Sequence, residues 1–497
     1  MSVLRMGIEE HIEENNCGKE NQAGFTTGGR IENNLLILKY CVEKSFKIKK
    51  PLIVISIDFS KAFDSIKRDF LIKTLIDYRI NEKVIETITK LYTEDTTKIK
   101  IDEASSLTIP VTSGIRQGCT GSTILFKLIT FTIIEKLDQL NRGFKDQILN
   151  VTSLFFADDG MLLASSVQDA ERVVEKVVEA GLECGLEINK QKSNIVVFNM
   201  KDKPREIAGI EVKDKIKYLG ITVNDSKNLF KTHKQNMIEK ATRLSNLTHS
   251  VIARSCSRLL IGKAFWKSIA LPSILYGANI VEFTKQDIEK LQRLENSVGR
   301  KILGAPSYSQ GAALRGEIGI SSMKARIMGG QLRYLQYILR GEGNELLERV
   351  VEEMRASHKK NRWIKGLIED RKVIGIRGAS ASNEEINSKV REWDDRVWKQ
   401  EMAEKESLSL YREWRQRMGG QEKVYDNRES SILLFKSRTN NLNLGDRKRF
   451  QNQSTECIMC GAEKEDLIHF LLHCPAYNQK ELNILNGSNH TRTMNNI

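Results

Sequence analysis

The chain has 497 residues, with 78 Lys and Arg against 64 Asp and Glu, for a formal net charge of +14. That length accommodates roughly two to four domains with a sizeable core, and the basic balance favours a polyanionic partner. Six prolines, no low-complexity tract and no internal repeat exclude a largely unfolded or solenoid chain, while a polar, acidic N-terminus and the lack of a long apolar run exclude secretion and a bilayer span.

In chain order, the first element is Leu52–Ile57, a continuous apolar, β-branched run ending at Asp58, which reads as a buried strand with a carboxylate at its end. Helical periodicity follows through Phe70, Leu71, Leu75 and Ile76. Gly114–Ser122 is a glycine-punctuated loop that feeds an apolar helix marked by Ile124, Leu125, Leu128, Ile129, Phe131 and Ile134. Phe155–Leu163 places Asp158 and Asp159 between two short apolar runs, a hairpin with both acids at its tip. Ser166–Asp169 starts a helix that continues through Val173, Val174, Val177, Val178 and Leu182 and stops at Gly185. A strand at Ile195–Phe198 and the segment Ile216–Ile221 complete the first half. From Phe230 to about Gly420 the pattern is largely helical. Leu271-Pro272 breaks one helix there, and Ile288, Leu291, Leu294, Val298 and Ile302 line another. The tail after Glu481 is polar, Asn-rich and expected to be disordered.

Adjacent carboxylates repel and lose hydration when packed, so Asp158 and Asp159 call for a cation. With Asp58 as a third acid, the set suits a two-metal site for phosphoryl transfer, holding Mg2+ or Mn2+ through oxygen ligands. The Gly114–Ser122 loop, with Arg116 and Gln117, suits close backbone approach to a nucleotide or template strand. Near the C-terminus, Cys457, Cys460, His469 and Cys474 follow C-x2-C-x8-H-x4-C spacing, which suits tetrahedral structural Zn2+. His473 competes with His469 but directly precedes Cys474, a harder geometry. Leu467, Phe470, Leu471 and Leu472 are the expected core of this small unit. The other cysteines (Cys17, Cys41, Cys119, Cys184, Cys256) lack paired spacing, which points to a reducing compartment.

Taken in order, these segments resemble the reverse transcriptases, in particular those of non-LTR (LINE-type) retrotransposons, over roughly residues 20–225. Gln22-Ala23-Gly24-Phe25 with Gly28-Gly29-Arg30 is similar to the fingers motif of that family, Asp58–Asp64 to motif A, Gly114–Ser122 to B, Phe156–Asp159 to C, Gly185–Ser193 to D, and Tyr218-Leu219-Gly220 to E. The resemblance implies that Asp58, Asp158 and Asp159 hold two Mg2+ or Mn2+ ions, with the Phe59 carbonyl as a further ligand. It places Phe63 at the steric gate against a ribose 2′-hydroxyl, and Gln117 and Gly118 in the nucleotide and template pocket. Lys192 becomes the acid that protonates departing pyrophosphate, Arg30 a contact to triphosphate or template, and Tyr218, Leu219 and Gly220 the primer grip. Three departures stand out: Ser122-Thr123 where the family has Ser-Pro, Phe156 where motif C begins with Tyr, and Thr26 where a basic residue is common. The terminal Cys/His segment with Pro475 is similar to the knuckle of many LINE-type proteins.

The expected fold is α+β: a right-hand polymerase palm and fingers on an antiparallel sheet, a helical thumb and linker, and a small C-terminal zinc knuckle. Expected boundaries are 1–228 for fingers and palm, 229–330 for thumb, 331–445 for linker, 446–480 for the CCHC knuckle and 481–497 for the tail. The expected activity is RNA-directed DNA polymerisation. Its partners are an RNA template, a DNA primer or target and deoxynucleoside triphosphates, in the nucleus or cytoplasm and away from membranes. Basic runs with an aromatic, Lys359–Trp363 and Arg412–Arg417, suit backbone attraction and base stacking. The short stretch before the fingers motif reads as the polymerase-to-C-terminus part of a longer element protein, or as a truncated copy. An inactive RNA-binding remnant is therefore one alternative, and a group II intron maturase-like splicing factor another.

Overall fold

The computed structural model describes residues 1–15, 17–18, 20–101, 104–253, 257–357, 361–377, 381–418, 429–442, 444–445 and 454–476. The tail after Glu481, Cys256, and Lys359 and Lys360 of the first basic run lie outside these residues. The chain forms two compact units. One comprises residues 1–234, 279–282 and 334–366; the other comprises 235–278, 283–333 and 367–497.

The first unit is built on a four-stranded antiparallel sheet. Its strands are β1 (Leu52–Ile57), β2 (Ser153–Phe156), β3 (Asp159–Ala164) and β4 (Asn194–Phe198), in the order β4-β1-β3-β2. The central strand β1 is apolar on both faces because both are covered. On one side, the helices α2 (Ser122–Gln139) and α3 (Val167–Cys184) close over Ile53, Ile55, Phe155, Leu162, Ile195 and Val197. α3 starts where Ser166 accepts a hydrogen bond from the Asp169 amide, and ends on Gly185 with φ 93°. The helix α1 (Ile31–Ile48) buries Leu35, Leu36, Ile37, Leu38, Tyr40, Cys41 and Val42, so it is apolar nearly all round. That pattern fits a helix enclosed on two sides, here by the sheet and by the helix Glu345–Ala356 of the same unit. Two further strands, β5 (Lys215–Tyr218) and β6 (Ile221–Asn224), form a hairpin. Its two turn residues, Leu219 and Gly220, have φ 47° and 76°, the left-handed pair that matches strand twist in a two-residue loop.

The second unit is helical, with a core around Trp266, Leu291, Val298, Ile302, Leu314, Ile318, Trp398, Tyr411 and Phe435. Its helix α4 (Lys285–Leu303) begins with a capping box between Thr284 and Asp287 and presents Leu291, Val298 and Ile302 to that core. Buried polar tips are matched within it: the Trp266 indole donates to Glu295 at 2.9 Å and the Trp398 indole to the Ala312 carbonyl at 2.8 Å. The break expected at Leu271-Pro272 is not a break. The backbone stays helical from Arg258 to Ile274 through a π-helical turn, Trp266–Ala270, with Pro272 near the start of the last segment. Proline lacks an amide hydrogen and crowds the carbonyl four residues back; a wide i→i+5 turn immediately before it relieves both demands. Among the described residues, no helix is long and apolar enough to cross a membrane.

Candidate active site and metal centre

Sheet register brings the three acids together. β1 pairs with β3 so that Ile57 faces Gly160, and one step further along this antiparallel ladder sets Asp58 beside Asp159. β2 and β3 are joined by a two-residue turn, Ala157-Asp158, with Phe156 opposite Asp159 and Ala157 at φ 57°. Glycine is needed at 160 because a Cβ there would lie 2.6 Å from the Ile57 side chain and 2.8 Å from the Phe155 ring. Partial desolvation, and then the charges of Asp158 and Asp58, raise the Asp159 carboxyl above its ordinary range. Three carboxylates gathered at one point form a donor set suited to hard divalent cations. Phe59, whose carbonyl is the expected added ligand, is buried in a short strand paired with Ile188.

The loop after α3 brackets Asp58. Asn189 donates its amide to the Asp58 carbonyl at 2.8 Å, and the Ser193 hydroxyl accepts the Asp58 amide at 3.2 Å. Between these anchors Lys192 extends an exposed ammonium to 4.0 Å from Asp58 Oδ2. The glycine-punctuated loop is fastened to the segment after Asp58 by hydrogen bonds from the Gly114 amide to the Ile66 carbonyl and from the Ile115 amide to the Phe63 carbonyl, both 2.8 Å. Gln117 donates its side-chain amide to Asp64 at 2.7 Å, and the adjacent Gly118 lies exposed with φ 75°. Arg116 pairs with Asp95 at 2.9 Å. Phe63 stacks on Phe126 of α2 (4.7 Å, 8°) and meets the edge of Phe25 at 6.4 Å, so its ring is held firmly at the site's border.

Arg30 sits at the start of α1 with its guanidinium 3.9 Å above the Tyr337 ring, one face stacked and the residue still exposed. Tyr218 is buried beneath the β2–β3 hairpin. Its hydroxyl donates to the Leu154 carbonyl at 3.2 Å and accepts from Asn34 at 3.1 Å, while Asn34 also donates to the Phe155 carbonyl at 3.0 Å. The turn Leu219-Gly220 is thereby tied to β2, the strand that leads into the turn of Asp158 and Asp159. Replacing Tyr218 by Phe is expected to lower stability by about 1 kcal/mol, since the Leu154 carbonyl loses its donor and Asn34 keeps one of two acceptors. Urea unfolding of the two proteins measures this. Asn34 and Tyr337 carry no local signal in the sequence; their partners lie more than a hundred residues away along the chain, where no local pattern reaches.

Residues 3–223 match the family described as Reverse transcriptase (RNA-dependent DNA polymerase). The chain is 24% identical over 306 residues to the Retrovirus-related Pol polyprotein from type-1 retrotransposable element R2 of Popillia japonica, covering 59% of this chain and 50% of that protein. It is 24% identical over 215 residues to the R2DM polyprotein of Drosophila melanogaster, covering 40% of this chain and 20% of that one. Over residues 3–223, then, the chain is similar to the reverse transcriptases of LINE-type retrotransposons. It spans half or less of the length of these curated relatives. Among solved structures, telomerase from Candida tropicalis aligns with 74% of the chain and 60% of its own, at 13% identity and a TM-score of 0.38.

The chain carries a second candidate metal centre in residues 454–476. Cys457, Cys460, His469 and Cys474 bring their ligand atoms within 4.8 Å of one another. The Cys457 and Cys474 sulfurs are 3.8 Å apart, and Cys460 Sγ is 3.3 Å from His469 Nε2. A zinc tetrahedron with ordinary bond lengths has S···S edges of about 3.8 Å and S···N edges of about 3.6 Å, so the cluster fits that ion. Burial works against ionisation of Cys457, but backbone amides and His469 outweigh it and bring its thiol down to about 7, a state ready for metal. His469 lies in a π-helical turn, His469–His473, and His473 is exposed and outside the cluster. The expected apolar core is smaller than its sequence suggests: Leu467 is buried, whereas Leu472 is 51% exposed. So short a unit cannot cover both faces of a helical turn, and the cluster itself takes the place of a core.

Proposed function

We propose that this domain is an RNA-directed DNA polymerase, transferring a deoxynucleotide from its triphosphate to a primer 3′-hydroxyl with release of pyrophosphate. The observation that carries the reading is the convergence of Asp58, Asp158 and Asp159, with Asp159 raised by desolvation and by its acidic neighbours. Asp58, Asp158 and Asp159, with the Phe59 carbonyl, would hold two Mg2+ or Mn2+ ions, which when bound supply charge stabilisation to the attacking and leaving oxygens. Lys192 stands beside Asp58 as the proton donor to the leaving pyrophosphate. Gln117 and Gly118 line the incoming nucleotide and template, Arg30 adds a cation near the triphosphate or template, and Tyr218–Gly220 support the primer end.

In this reading residues 1–228 act as fingers and palm, 229–330 as thumb, 331–445 as linker, and the knuckle binds structural Zn2+ and nucleic acid. RNA template, DNA primer or target and deoxynucleoside triphosphates are the proposed partners. The reading is tested by magnesium-dependent incorporation on an RNA template, which must stop in EDTA.

Phe63 supplies the sugar test. Its stacked ring has no room to retreat from a 2′-hydroxyl. Phe63→Ala is expected to raise ribonucleotide use relative to deoxynucleotide by about 10–200-fold, the range for one pocket-sized steric change. Competing kcat/KM values for the two triphosphates give the ratio.

A further inference from the structure

Gln22 is 1% exposed, in the segment that precedes α1, and forms a parallel bridge with Phe155 on β2. Its side-chain amide has no free valence. The Oε1 atom accepts from the amides of Gly24 (2.8 Å) and Ala157 (2.9 Å), and Nε2 donates to the Ala157 carbonyl (3.1 Å) and the Thr130 hydroxyl (2.9 Å). Four satisfied bonds fix the orientation, because a flipped amide would set its NH2 against two N–H groups. The Thr130 hydroxyl already donates to the Lys127 carbonyl at 2.8 Å, which turns its lone pair towards Gln22.

Ala157 is the turn residue immediately before Asp158, and both of its backbone polar groups are held by this one side chain. It has φ 57°, a conformation that costs energy for a residue with a Cβ and needs external support. The approach is close enough that a Cβ on Gly24 would lie 2.0 Å from the Ala157 nitrogen. Thr130 sits on α2, the helix that the glycine-punctuated loop feeds and that carries Phe126 against Phe63. One buried amide therefore joins the metal-holding turn to the helix beneath the nucleotide loop.

We infer that Gln22 is a positioning residue for catalysis: it sets the geometry of the Asp158-Asp159 turn for divalent metal and links that turn, through Thr130, to the nucleotide-binding side. The inference rests on the polymerase reading above. Gln22 touches no reacting atom; it acts through Ala157.

Gln22→Met keeps the length and removes the amide. It is expected to lower kcat on the order of 10²-fold, as a displaced reacting geometry does, and to raise the magnesium concentration for half-maximal rate several-fold, with KM for the primer-template unchanged. Thr130→Val, a milder change in case Gln22→Met fails to fold, is expected to shift magnesium dependence in the same direction, and Thr130→Ser to restore it. A folded Gln22→Met or Thr130→Val enzyme with wild-type kcat and magnesium dependence, or one with only a lowered melting temperature, overturns the inference while leaving the polymerase reading intact. A wild-type protein that extends no primer removes the polymerase reading. Magnesium titration by calorimetry then tests the clamp directly, and equal affinity in wild type and Gln22→Met overturns it.

Discussion

Asp159→Asn is expected to end primer extension and, in metal-free buffer, to raise the melting temperature of the same protein. The two effects have one origin. Asp159 is raised by desolvation and by the charges of Asp158 and Asp58, so its ionised form is disfavoured in the folded chain unless a cation is present. A folded-state value above the unfolded carboxylate range, about 3.9, means the folded protein binds more protons. The associated stability is present at pH below that range and is lost as pH rises through the folded value. Metal-free stability should therefore fall over that window, and Asn at 159 should flatten the fall. Added magnesium should stabilise wild type more at pH 8 than at pH 5, and the Asn variant little at either. For activity, loss of a group aimed at transition-state charge costs about 10²–10³-fold. Melting curves with and without magnesium at the two pH values, beside extension rates, measure both. A variant that is destabilised without metal contradicts the argument.

His469→Gln is expected to strip the C-terminal metal, whereas His473→Gln is expected to keep it. The geometry distinguishes these neighbours: His469 Nε2 is 3.3 Å from Cys460 Sγ, and His473 stands exposed outside the four-residue group. Zinc contributes on the order of 10 kcal/mol or more to units of this kind, so losing it should release the local fold. The amides of Cys457, Gly461 and Glu465, which close the knuckle through Ala462, Cys457 and Thr455, should lose hydrogen-exchange protection. Metal content of the purified proteins should be one zinc per chain for wild type and His473→Gln. Retention of zinc by His469→Gln and its loss from His473→Gln would reverse the ligand assignment.

The palm is legible because its elements are strong local signals. Six consecutive apolar-dominated residues at Leu52–Ile57 form β1, and a paired acid between two apolar runs forms the β2–β3 turn. Ser166 and Gly185 bound α3 as cap and stop. The three acids can be grouped in advance because a strand end and a hairpin tip are places where sheets present side chains, and the β1–β3 register sets Asp58 beside Asp159. What sequence does not reveal depends on distance or on unusual backbone. Pro272 reads as a break because local rules count the lost amide and not the π turn that accommodates it. Leu472 reads as core because its apolar character says nothing about the face it takes in a π-helical turn. Arg30 reads as a contact to triphosphate or template, and its stacking on Tyr337 leaves no local signal because that partner is about three hundred residues away. Gln22 belongs to a recognisable motif, but its hold on Ala157 requires the fold to bring 22 and 157 together.

The most direct test of the central claim is extension of oligo(dT) on poly(rA) with magnesium, comparing wild type with Asp158→Asn. Extension by wild type alone, with equal RNA retention by both proteins, is the result predicted from the three-carboxylate site. Extension by both would contradict it, because synthesis would then not depend on the acids that the sheet brings together.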